Sequence, residues 1–222
     1  MIELILLDGS DIDTPLANPD RILARQELKH YEMLRSDTRR REFLLGRILL
    51  KAALAERNHQ RIHDFNTIST TVSATGKPAI AGAEFNLSHD GNAFLLAVGD
   101  QAVGVDIESV QNFDDAMMEI CFTADERRRI SRSHHPDRVA TLLWCLKEAA
   151  AKAMDDGLLS AIGEPRRQGL FFRGGFLKVA GLDRAYAVCS PEPILPTHIL
   201  SARPRFDKVF TAFQLEDASH FN

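Results

Sequence analysis

The sequence predicts an α+β fold built from two similar halves, on three observations. Two long segments, residues 39–57 ("RRREFLLGRILLKAALAER") and residues 137–154 ("DRVATLLWCLKEAAAKAM"), read as helices. Each is followed by β-branched or apolar runs punctuated by Gly and Pro, which read as strands. The order of helix and then strands therefore occurs twice, without a letter-by-letter repeat, with the join near residue 101. The halves are taken as residues 1–100 and 101–222. A chain of 222 residues with 45% apolar content buries roughly 70% of its extended surface and needs no covalent staples.

Taken in order, residues 2–7 predict a first strand. A loop with Pro15 and Pro19 leads into a charged helix over about 19–34. In the long helix, Phe43, Leu44, Ile48, Leu49, Ala52 and Leu54 form the apolar stripe, and Arg40, Arg47, Lys51 and Arg57 sit mostly off it. "TISTTVSATGKPAI" is strand-like around a Gly-Lys-Pro turn. "FLLAVGDQAVGVDIE" predicts a hairpin, with a strand at 94–98, a turn at Gly99-Asp100 and a second strand ending in two carboxylates. In the second half, Thr123 and Glu126 have capping-box spacing at the head of a helix over 123–132. The helix over 137–154 follows, then strands near 170–180, 185–189 and 208–215, with Pro191, Pro193 and Pro196 interrupting the last part.

Composition excludes several classes. A net charge of −4 is not the basic footprint of a nucleic-acid binder. Cys121, Cys145 and Cys189 are odd in number and widely spaced, which predicts a reducing compartment and neither a disulfide framework nor a zinc site. "MIELILLDG" lacks a basic leader and a cleavage-site pattern. No apolar run reaches the ~20 residues that span a bilayer. The expectation is a cytoplasmic monomer with no nucleic-acid or membrane partner.

The chemistry-bearing residues cluster in a few short stretches. In "GVDIESV" the strand period puts Asp106 and Glu108 on one face, and Val105 and Ile107 on the other. In "WCLKEAAAK", Trp144, Glu148 and Lys152 lie four residues apart on one helix face. Separately, these read as strand-end solvation and a surface ion pair. Together, two strand carboxylates and a helix glutamate make an all-oxygen site of the kind Mg²⁺ prefers, with Lys152 one turn on to meet a phosphate. "FNLSHD" has no G-x-S-x-G elbow around Ser88. Its hydroxyl and the His89 imidazole suit anion binding better than hydrolysis. In "TGKP", Gly76 allows close backbone approach and Lys77 supplies a point charge.

In this order, "GKP", "FNLSH", "GVDIE", "FTADE" and "WCLKEAAAK", together with the "FLLGR" helix, resemble the 4′-phosphopantetheinyl transferases of the surfactin-synthetase-activating type. The likeness runs from about residue 25 to about residue 160. It implies a pseudo-dimer of two α+β halves with the active site in the cleft between them. It implies Mg²⁺-dependent transfer of the 4′-phosphopantetheine arm of coenzyme A to a serine of an acyl, polyketide or peptidyl carrier protein, releasing adenosine 3′,5′-bisphosphate. By motif, Asp106, Glu108 and Glu148 would bind Mg²⁺. Lys152 would bind the diphosphate and stabilise the leaving group. Lys77, Ser88 and His89 would meet coenzyme A phosphates, His89 at the 3′-phosphate. Glu148 would be the base, with Glu126 a rival, and Lys29 or His30 would add a 3′-phosphate contact. The segment 111–122, with Phe113, Met117 and Met118, would face the carrier protein. The alternatives are a non-catalytic carrier-binding module of the same fold and another Mg²⁺-dependent phosphotransferase. No Walker-type GxxxxGK(S/T) is present.

Overall fold

The computed structural model describes residues 2–10, 12, 19–58, 62–72, 77–155, 169–194 and 199–204. The chain opens with β1 (Glu3–Asp8), and the expected helix over 19–34 is two helices, α1 (Pro19–Ile22) and α2 (Arg25–Met33). Glu27 makes the break. As the third residue of α2 it accepts the Ala24 N–H at 2.9 Å, which leaves Ala24 extended as the N-cap. The long helix α3 (Asp37–Arg57) buries Leu44, Leu45, Ile48 and Leu49 in the first core. Lys51, expected off that stripe, is instead 0% exposed. Its Nζ donates to Glu27 Oε2 at 2.6 Å and to the carbonyls of Ile22 (2.7 Å) and Phe65 (3.0 Å). A buried ammonium is tolerated when every hydrogen finds an acceptor, and here all three do.

A 3₁₀ turn (Ile62–Thr67) and the short pair β2 (Thr71–Val72) and β3 (Pro78–Ala79) lead to β4 (Glu84–Asp90) and β5 (Ala93–Gly99). The second half contains β6 (Gly104–Ser109), α4 (Asp115–Cys121), α5 (Ala124–Ser131), α6 (Pro136–Met154), β7 (Phe171–Val179), β8 (Leu182–Ser190) and β9 (Ile199–Ser201). The expected strand at 208–215, with Pro15, Gly76 and Pro196, lies outside the described residues.

The expected hairpin of β5 with the carboxylate strand does not form. Both edges of β5 are already taken, by β4 and by β1, and all seven of its residues are buried. After residues 100–103 the chain enters another sheet, where β6 pairs antiparallel with β8. The strand orders are β4-β5-β1-β9 and β6-β8-β7. In each sheet an antiparallel hairpin is flanked by the strand that opens its half. Residues 199–201 return from the second half to pair parallel with β1. Leu4, Leu95 and Ala97 of the first sheet share one apolar cluster with Val105, Ile107 and Val188 of the second.

The helix α6 lies directly on β6. A Cβ at Gly104 would stand 1.9 Å from the Ala149 carbonyl oxygen and 2.4 Å from the Ala153 nitrogen. Only glycine admits that approach, and the run Ala149, Ala150, Ala151 and Ala153 keeps the helix side equally slim. All three cysteines are free and buried. Among the described residues no helix is long and apolar enough to cross a membrane.

Candidate active site

The close approach at Gly104 sets the last two turns of α6 against the polar face of β6. Val105 and Ile107 enter the apolar cluster, as the strand period requires, and Asp106 and Glu108 face the other way. Lys152 Nζ lies 2.6 Å from Asp106 Oδ1 and 3.7 Å from Glu148 Oε2. The i,i+4 pair of α6 therefore meets the strand carboxylate, as its spacing suggested. Trp144, one turn before Glu148, packs with Phe113 and Phe122 rather than facing the site.

The face carries more negative charge than Lys152 balances. Asp106 is 1% exposed, and its Oδ2 has no hydrogen-bond partner. Burial, with repulsion from Asp106 and Asp90, pushes Glu108 up to about 7. Burial also raises Glu148, although Lys152 opposes the shift. For Lys152, burial acts to lower the pKa, but the charge and hydrogen bond of Asp106, together with Glu148 and Glu108, outweigh it and raise it. The Cys145 thiol behind them is pushed up by burial and by Asp106. An oxygen-only face with surplus negative charge and one unpartnered carboxylate oxygen fits a hard divalent cation. Among the described residues, no three His, Cys, Asp or Glu side chains are grouped to ligate an ion by themselves. The positive charge between Asp106 and Glu148 is the Lys152 ammonium.

The first half contributes unevenly. Lys77 Nζ donates to the Lys152 carbonyl at 2.8 Å, at the rim of a pocket of about 360 Å³ with Phe85, Ala102 and Met154. Ser88 is 7% exposed, and its Oγ donates to Asp106 Oδ1 at 2.8 Å. His89 points to the opposite face of β4, exposed, with its ring stacked on Phe94 at 5.3 Å between centroids. The adjacent Ser and His are thus split between two faces. His30 lines a second pocket, of about 380 Å³, with Gln26, Phe43, Arg47 and Thr70; Lys29 does not. Arg47 Nε is 3.1 Å from Glu27 Oε1, and burial lowers the Arg47 pKa against the pull of Glu27.

Glu126 is engaged elsewhere. It closes the capping box with Thr123, accepting the Thr123 N–H at 2.7 Å, and takes the buried Lys147 Nζ at 2.9 Å. None of its ion pairs reaches Asp106, Glu148 or Lys152. The sequence reading did not single out Asn86, Asp90 and Arg184. Asp90 Oδ2 accepts from the Ser109 N–H at 2.8 Å and from Arg184 Nε at 3.1 Å, beside Glu108. The signal available was the alternation N-x-S-x-D in β4, which puts three polar side chains on one strand face.

Part of this site lies in a region similar to known proteins. Residues 102–173, which carry Asp106, Glu108, Glu148 and Lys152, match the family described as the 4'-phosphopantetheinyl transferase superfamily. The 4'-phosphopantetheinyl transferase psf-1 of Bacillus pumilus is 32% identical, over 53% of this chain and 52% of that protein. The 4'-phosphopantetheinyl transferase ffp of Bacillus subtilis is 28% identical, over 52% of each. A further 4'-phosphopantetheinyl transferase of Bacillus subtilis is 28% identical over 68% of this chain and 70% of its own length. The chain spans about half the length of the first two curated relatives it matches. Residues 102–173 are thus the part of the chain similar to the 4'-phosphopantetheinyl transferase superfamily.

Proposed function

We propose that this chain is a Mg²⁺-dependent 4′-phosphopantetheinyl transferase. It moves the phosphopantetheine arm of coenzyme A to a serine hydroxyl of an acyl, polyketide or peptidyl carrier protein. The observation that carries this reading is the meeting of Asp106, Glu148 and Lys152 within ion-pair distance across β6 and α6. In the transfer, the serine oxygen forms a bond to the phosphorus that bears the pantetheine arm. The bond from that phosphorus to the bridging oxygen breaks, and adenosine 3′,5′-bisphosphate departs. Asp106, Glu108 and Glu148 would hold Mg²⁺, which when bound would supply charge neutralisation at the diphosphate. Lys152 binds the diphosphate and offsets the charge that develops on the leaving oxygen. Glu148, whose pKa burial raises, is basic enough to take the serine proton, directly or through water.

Lys77 and His89 meet coenzyme A phosphates from the first half, whereas Ser88 turns to the Asp106 carboxylate. Between the candidates in α2, His30 is favoured over Lys29 because it shares a pocket with the Arg47 cation. The matching strand orders β4-β5-β1 and β7-β8-β6 support two related halves with coenzyme A in the cleft between them. So does a shared detail. In each half a buried lysine binds the glutamate three residues past a helix N-cap and the carbonyl two residues before that cap. The residues are Lys51, Glu27 and Ile22 in one half, and Lys147, Glu126 and Cys121 in the other. Three buried free thiols suit a reducing compartment such as the cytoplasm.

The test is mass spectrometry of an apo carrier protein mixed with the chain, coenzyme A and Mg²⁺. The expected result is a gain of one phosphopantetheine, lost when Asp106 or Glu148 is changed to Ala. No gain with carriers of all three types would leave a non-catalytic module.

A further inference from the structure

We propose that Ser88 is a positioning residue. Its hydroxyl reaches across from the first half and anchors one oxygen of Asp106, so that the other is the one offered to a divalent cation. The proposal rests on the transferase reading above.

Alternate residues of β4 cross to β6. Asn86 Oδ1 accepts the Val105 N–H at 2.8 Å, Ser88 Oγ donates to Asp106 Oδ1 at 2.8 Å, and Asp90 Oδ2 accepts the Ser109 N–H at 2.8 Å. The two strands are edges of different sheets, so side chains make the connection that a backbone ladder would make within one sheet. Two of these bonds end on backbone. Only the one from Ser88 ends on a candidate ligand.

An ionised carboxylate can only accept, so the single Ser88 hydrogen goes to Asp106. One hydroxyl lone pair then accepts from Lys152 Nζ at 3.3 Å. Ser88 and Lys152 thus both act on Oδ1, and Oδ2 is left buried without a partner. The terminal torsion of an aspartate is broad and roughly two-fold, so without an anchor the two oxygens exchange places easily. Removing the hydroxyl leaves Lys152 as the donor to Asp106 Oδ1 and frees the carboxylate to turn toward it. The ammonium then competes better with an incoming cation.

The test is binding of Mn²⁺ alone, as the paramagnetic substitute for Mg²⁺, to the full chain with coenzyme A present, read from the free Mn²⁺ electron-spin signal. Calorimetry of coenzyme A binding in chelator is the companion measurement. Ser88→Ala should weaken Mn²⁺ binding roughly 10–100-fold, the usual scale for losing a group that orients a ligand. Its metal-free coenzyme A affinity should stay as in the parent, and Ser88→Thr should recover most of the Mn²⁺ affinity. Asn86→Ala, which cuts the neighbouring bond without touching Asp106, should melt earlier and keep parental Mn²⁺ affinity. The proposal is overturned if Ser88→Ala binds Mn²⁺ normally but coenzyme A poorly, because the hydroxyl then serves the substrate. It is equally overturned if Asn86→Ala loses as much Mn²⁺ affinity as Ser88→Ala, because loosening of the strand contact then explains both. If the folded parent neither binds Mn²⁺ nor modifies a carrier, the transferase reading itself fails, and this proposal with it.

Discussion

Glu108 sits where burial and two neighbouring carboxylates all oppose its ionisation, so it holds its proton to about pH 7. A carboxyl whose pKa is raised on folding binds its proton more tightly in the folded than in the unfolded chain. Stability therefore falls as pH rises from about 4.5 to about 7, and the loss is complete above that window. Glu108→Gln stays neutral throughout. In metal-free buffer at pH 8 it should be more stable than the parent by about 1 kcal/mol, after allowing for solvent screening at a partly exposed group. At pH 4 both side chains are neutral, and the gain should vanish. Thermal melts at the two pH values decide the matter, and a gain of equal size at both would contradict the charge argument. The same surplus of charge that weakens the bare fold is what makes the face receptive to a cation.

At the scale of the element, helix starts and helix faces separate structural from functional residues. Glu126 caps α5 and binds Lys147 of α6, both fully or nearly buried. Removing one partner of such a pair costs about 3–5 kcal/mol, because the other charge stays buried alone. Glu126→Gln should therefore melt early yet transfer at a near-parental rate per folded molecule. The double change with Lys147→Met should recover part of the lost stability. A parental melting temperature with a collapsed rate would instead make Glu126 an acid–base group. On α4, Met117 is 41% and Ile120 64% exposed, whereas Met118 is partly buried against the cluster that contains Phe113 and Phe122. Flexible methionine and exposed isoleucine suit a surface that accepts related partners. Met117→Glu should raise the KM for carrier protein with the coenzyme A KM unchanged. Met118→Glu should lower the melting temperature and impair both. Steady-state kinetics beside a melt distinguishes the two; early melting of Met117→Glu, with both KM values impaired, would overturn the surface role of Met117.

For the molecule as a whole, the two sheets share an apolar cluster, and β9 returns from the second half to the first sheet. Arg184 of β8 also binds Asp90 of β4. With that much common core, neither sheet keeps its buried face if the other unfolds. Calorimetry of the full chain should therefore show one cooperative transition, with van't Hoff and calorimetric enthalpies in agreement. Two resolved transitions would mean that the halves are energetically separate domains.

Local pattern alone was enough for α3, α5 and α6, the alternation of Val105 and Ile107 against Asp106 and Glu108, and the i,i+4 meeting of Glu148 with Lys152. Those features depend on residues a few positions apart, and helix and strand periods fix them before any long-range contact forms. The tertiary structure decided what long-range competition settles. β6 left the predicted hairpin because both edges of β5 were taken. Lys51 went inside because Glu27 and two carbonyls were there to receive it. Ser88 and His89 were sent to opposite faces, one to the carboxylates and one to solvent. In each case a partner distant in sequence supplied a hydrogen bond or filled a sheet edge, and local spacing carries no record of such a partner.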